Sequence, residues 1–127
     1  MDINEITGSI VDASLKIHRQ LGPGLLESVY EVLLEYELNR RGIPTERQKA
    51  VPIVYDGVRF PEPFRVDLLV AGQVIVELKS VEELQPVHFR QILTYLRLAH
   101  LRVGLLINFN VPVIKDGIHR LVDGPEP

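Results

Sequence analysis

Apolar residues at Ile3, Ile6, Ile10, Ala13, Ile17 and Leu21 recur at helical spacing, which predicts a packing helix over 3–21 with Asp2 or Asn4 able to cap its start. Gly22-Pro23-Gly24 breaks it. A second helix is predicted from about Leu25 to Arg41, with Leu26, Val29, Leu33, Leu34 and Leu38 turned inward and Gly42 as its stop. Beyond Pro44 the pattern turns extended, from Gln48 to Tyr55, reversing at Asp56-Gly57 into Val58-Arg59-Phe60. Pro61 and Pro63 are expected to interrupt the chain before the next strand.

The stretch Phe64 to Ser80, FRVDLLVAGQVIVELKS, reads as two strands about an Ala71-Gly72-Gln73 turn. Gly72 suits the left-handed position that a three-residue loop needs. That loop sets Val70 opposite Val74, and so Asp67 opposite Glu77; a two-residue loop would send Asp67 to the other face. Side chains alternate along a strand, so Glu77 and Lys79 share a face. Val, Leu and Ile occupy both faces of these strands, as expected where helices cover a sheet above and below. Two carboxylates and an ammonium at the end of such a pair call for an explanation.

Pro86 suits the first position of a helix reaching about Ala99, with Phe89, Ile92, Leu93, Leu96 and Ala99 apolar. His88, Gln91 and Tyr95 lie on an adjacent stripe of it. Arg102 to Phe109 then reads as a strand completing a crossover from Glu77-Leu78-Lys79, and Ile118 to Val122 as an edge strand before a loose tail over 123–127. The predicted fold is α/β, a mixed sheet with helices on both faces, in one domain over 1–127.

Composition narrows the chemistry. With 127 residues, 46% of them hydrophobic, the chain can bury a core unaided. It has no cysteine, which removes disulfides, zinc-thiolate sites and cysteine nucleophiles, and its four histidines lack paired ligand spacing. No stretch is apolar enough to span a bilayer, and the start lacks a signal-peptide pattern, so the expectation is a soluble cytoplasmic protein. A net charge of −3 is not that of a protein that holds nucleic acid by charge alone.

Glu27 on a helix, Asp67 on a strand, Glu77-Leu78-Lys79 ending the next strand and Gln91-x-x-x-Tyr95 on the following helix are weak signals singly. In this order they resemble the PD-(D/E)XK nuclease superfamily, of restriction-endonuclease-like fold, and its RecB-like branch in particular. GPGLLESVYEVLLEYEL further resembles the bacterial GxxExxY group, through Gly24, Glu27 and Tyr30. The likeness continues through DLLV, VIVELKS, QILTYL and GLLINF. It implies that Glu27, Asp67 and Glu77 are metal ligands, that Lys79 is the catalytic lysine, and that Gln91 and Tyr95 support the site. Val66 departs from the pattern, standing where the superfamily name has proline.

Phosphodiester hydrolysis fits these residue types independently. Hard oxygen ligands suit Mg²⁺ or Mn²⁺, which would offset the acidic surroundings that repel phosphate. Lys79 could orient or deprotonate a water, or pair with the phosphate. Alternatively, Lys79 neutralises Asp67 and Glu77 as a structural ion pair. The function expected is a metal-dependent nuclease acting on nucleic acid, DNA ahead of RNA. The alternative is a catalytically silent module of the same fold that binds nucleic acid or a protein partner. A homodimer is expected on size alone.

Overall fold

The computed structural model of the chain describes residues 1–127, apart from the side chains of residues 62 and 63. Helices α1 (Ile3–Leu21) and α2 (Glu27–Arg40) precede a long hairpin of β1 (Thr45–Tyr55) and β2 (Val58–Val70). Then come β3 (Val74–Lys79), α3 (Pro86–Ala99), β4 (Val103–Asn108) and, after a 3-10 turn over Ile114–Gly117, β5 (Ile118–Val122). The strands make one sheet ordered as in the sequence. Only the β3–β4 pair is parallel, because α3 returns the chain to the same end before β4 starts. Helices α1 and α2 cover one face and α3 the other, as expected.

The first helix follows its predicted stripe, burying Ile6, Ile10, Ala13 and Ile17. Asp2, not Asn4, caps it, accepting the Glu5 N–H at 2.8 Å. The second departs from prediction: Leu26 and Val29 are exposed, Leu33 is half-buried, and the inward side carries Tyr30, Leu34 and Leu38 together with Glu31 and Glu37. Those acids can be buried because neighbouring elements supply cations, with Lys16 Nζ 2.9 Å from Glu37 and Arg47 Nε 3.1 Å from Glu31. A hydrophobicity pattern cannot anticipate a charge that is neutralised from another element.

The prolines do not divide the hairpin. Pro61 lies within β2, which pairs with β3 only over Leu68–Val70 and so has a single neighbour at Pro61. A register shift between Val51 and Ile53 absorbs the irregularity. Of Pro63 only the backbone is described. The β2–β3 turn has the expected three-residue form: Val70 faces Val74, and Ala71 and Gly72 both take left-handed φ, 53° and 65°. Ala71 is held there by its N–H to the Pro44 carbonyl at 2.7 Å. After β5 the Asp123 N–H donates to the Arg102 carbonyl (2.8 Å) and Arg120 pairs with Glu126 (3.0 Å).

Gly117 shows how closely the end of β4 is packed. A Cβ there would be driven into the Asn108 carbonyl and crowd the Val111 side chain at 3.1 Å. Gly117→Ala is expected to destabilise the protein by about 3 kcal/mol, read as a fall in the urea midpoint with unchanged slope.

Candidate active site

The β2–β3 ladder stops one pair short of the carboxylates. Its last pair is Leu68 with Val76; beyond it, side chains replace backbone partners. The Leu78 N–H donates to Asp67 Oδ2 at 2.8 Å, and the Asp67 N–H reaches Glu77 Oε1 at 3.4 Å. The backbone ladder therefore ends where the two acids sit. β2 also breaks its alternation here: Val66 packs under α3, whereas Leu68, two residues on, packs under α1 and α2. Asp67 is the residue at that switch. Glu77 lies on the α3 side of β3, the side of Ile75, and Lys79 follows two residues later.

Glu77 is 5% exposed. Burial first, and the Asp67 carboxylate second, push its carboxyl up to about 9, with Lys79 opposing weakly. Without a cation Glu77 thus keeps its proton at neutral pH. Lys79 is half-buried and, among the described residues, makes no ion pair within 4 Å. A structural ion pair with Asp67 or Glu77 is therefore not what holds it. Burial, and then repulsion from Glu77 and Asp67, raise the Tyr95 hydroxyl above its ordinary range, while the Gln91 side chain opposes the shift. The Tyr95 ring stacks on Phe64 (centroids 4.3 Å, planes at 15°), which fixes it beside the carboxylates.

Glu27 reaches the end of β3 by a different route. Its Oε2 accepts the Ser80 N–H at 3.2 Å, and it borders an open cavity of about 540 Å³ with Gly24, Ser28, Ser80 and Asn110. Among the described residues no three Asp, Glu or His side chains gather as a metal site, so two carboxylates converge and Glu27 stands apart. Tyr30 is fully buried and stacks on Phe109 (4.2 Å, 12°). Its hydroxyl donates to the Gly22 carbonyl (2.7 Å) and accepts the Leu25 N–H (3.2 Å), and Ser80 Oγ donates to the Leu25 carbonyl (2.7 Å). Glu27 and Leu25 thus join the start of α2 to Ser80 at the end of β3, and Tyr30 braces the turn that precedes α2. Tyr30→Phe is expected to cost about 1–2 kcal/mol in chemical denaturation, since it leaves the Gly22 carbonyl and the Leu25 N–H without that partner.

Residues 4–121 match the family model described as the PD-(D/E)XK nuclease superfamily. The chain belongs to that superfamily. Its mixed sheet with flanking helices is accordingly the superfamily's restriction-endonuclease-like fold. A comparison with curated proteins finds no match. Among solved structures, that of SSO0001 is similar in fold, with a TM-score of 0.58 and 20% identity. The likeness covers 98% of this chain but 59% of the other, so the chain spans well under two thirds of that protein's length.

PD-(D/E)XK nucleases generally use divalent metals, and the donor set here fits one. Two acids meet at the end of the β2–β3 ladder, and a hard divalent cation would stabilise the ionised form of Glu77 that burial and Asp67 now oppose. The sequence did not single out Gln48, which lies beside Asp67, or Glu31, which Gln48 bonds. Glu31 is 4% exposed and accepts Gln48 Nε2 at 3.0 and 3.2 Å; the same nitrogen lies 3.4 Å from Asp67 Oδ1. The available signal for Glu31 was its place one helical turn after Glu27. Asn108 was also missed: its amide bonds both the N–H (3.1 Å) and the carbonyl (2.9 Å) of Val81, pinning the chain just past Lys79.

Proposed function

We propose that this PD-(D/E)XK domain is a metal-dependent phosphodiesterase that hydrolyses nucleic acid, DNA ahead of RNA, and that it is a GxxExxY protein with a QxxxY pair beside its site. The observation that carries the reading is the Asp67–Glu77 pair at the end of the β2–β3 ladder, with Lys79, which makes no ion pair among the described residues, two residues past Glu77. Asp67 and Glu77 would hold Mg²⁺ or Mn²⁺, with Glu27 a further ligand through the resemblance alone. Bound there, the cation supplies Lewis acidity and lowers the pKa of water.

The protein's own groups have separable tasks. Lys79 presents an ammonium to an incoming phosphate or orients the attacking water. Tyr95 keeps its proton at neutral pH, so its hydroxyl is a donor to phosphate or to a ligand carboxylate, and Gln91 extends that donor surface. The test is cleavage of single- and double-stranded DNA and RNA in Mg²⁺ and in Mn²⁺. Cutting by the wild type that is lost in Asp67→Ala supports the reading; a folded, metal-loaded wild type that cuts none of these overturns it.

The silent binding module is the second reading. Glu27 favours it, because among the described residues it does not gather with Asp67 and Glu77 into a three-acid group, which leaves two acids in place of three. Nucleic-acid binding by the wild type, unchanged in Asp67→Ala and without cleavage, is its signature.

A further inference from the structure

We propose that Gln48 is a positioning residue, setting the orientation of the Asp67 carboxylate, and that buried Glu31 in turn holds Gln48. The inference rests on the metal-site reading of Asp67 and Glu77. Four observations lead to it. Arg47 pairs with Leu68 and Lys49 with Val66, so Gln48 lies opposite Asp67 at the one position between them where no pair forms. Gln48 has φ 51°, a left-handed conformation that a non-glycine residue in a strand keeps only when its surroundings hold it.

The holding groups are visible. Arg65 Nη1 donates to the Gln48 carbonyl at 3.1 Å, and Gln48 Nε2 faces both oxygens of Glu31 and, at 3.4 Å, Oδ1 of Asp67. Turned over, the amide would present its oxygen to two carboxylates, so the donor orientation is the favourable one. Glu31, though buried, is balanced by Arg47 Nε at 3.1 Å. Fourth, the Leu78 N–H already holds Asp67 Oδ2. With Gln48 on Oδ1, the carboxylate is contacted from both neighbouring strands, which favours one orientation of its plane. Partners behind a ligating carboxylate typically change metal affinity by 10–100-fold.

Gln48→Gly removes the donor without adding backbone strain, because glycine accepts the φ of 51°. Mn²⁺ titration by calorimetry on the wild type, Gln48→Gly and Gln48→Glu, with thermal melts of each, makes the test. The expected result is about 10–100-fold weaker Mn²⁺ binding in Gln48→Gly, which stays folded with a melting temperature lowered only by the lost Glu31 bonds, and weaker binding again in Gln48→Glu. Unchanged affinity in folded Gln48→Gly overturns the positioning role and leaves the metal site standing. A wild type that binds no Mn²⁺ overturns the metal site, and this proposal with it.

Discussion

Asp67→Ala and Glu77→Ala should each abolish measurable Mn²⁺ binding by calorimetry, whereas Lys79→Ala should bind the ion normally and lose about 10²–10⁴ in kcat. The distinction follows from geometry. Asp67 and Glu77 are the two hard donors that meet at the end of the ladder, and removing either leaves a single carboxylate. Lys79 shares the side of Glu77 and makes no ion pair among the described residues, so its loss leaves no partner charge exposed and takes away only its interaction with phosphate or water. Circular dichroism should show all three variants folded. Lys79→Ala that cuts nucleic acid at the wild-type rate would remove the lysine from the chemistry while leaving the metal site intact.

Glu77→Gln should raise the melting temperature of the metal-free protein by roughly 10 °C at pH 7, corresponding to about 3 kcal/mol. The folded protein holds the Glu77 proton until about pH 9, whereas the unfolded chain releases it near the ordinary value of 4.5. Between those values the unfolded state binds fewer protons, so the metal-free wild type loses stability as pH rises from 4.5 and the loss levels off above 9. Glutamine imitates the protonated side chain and carries no such penalty. Melts of the two proteins should therefore coincide below pH 4.5 and diverge as pH rises, and equal melts at pH 8 would sink the account.

On the proposed metal-site reading, the same proton would govern metal uptake. Binding to ionised Glu77 expels it, so Mn²⁺ affinity should climb about tenfold per pH unit through the neutral range. Calorimetry in buffers of different ionisation heat should register close to one proton released.

Much of this site could be read along the chain. The turn Ala71-Gly72-Gln73 set the β2–β3 register, and with it the meeting of Asp67 and Glu77, because hairpin pairing is dictated locally by loop length. The Gln91–Tyr95 stripe likewise followed from helical spacing, and the structure sets Tyr95 close enough to feel both carboxylates. Leu26 and Val29 were misplaced because α2 turns toward partners for its own acids, Glu31 and Glu37, and those partners come from α1 and β1. Pro61 was misread as a break because nothing local reveals that β2 has only one neighbour at that point.

Alone, then, the sequence determined the order and kind of the elements, the β2–β3 register and the residue types gathered at its end, since periodicity and turn chemistry act over a few residues. Tertiary structure alone decided that the ladder ends at Asp67, that Glu77 is buried deeply enough to keep its proton, that Glu27 turns to Ser80, and that Gln48, bonded to Glu31, lies beside Asp67. Each of these depends on desolvation or on contacts between residues distant in the chain, quantities that exist only once the helices have closed over the sheet.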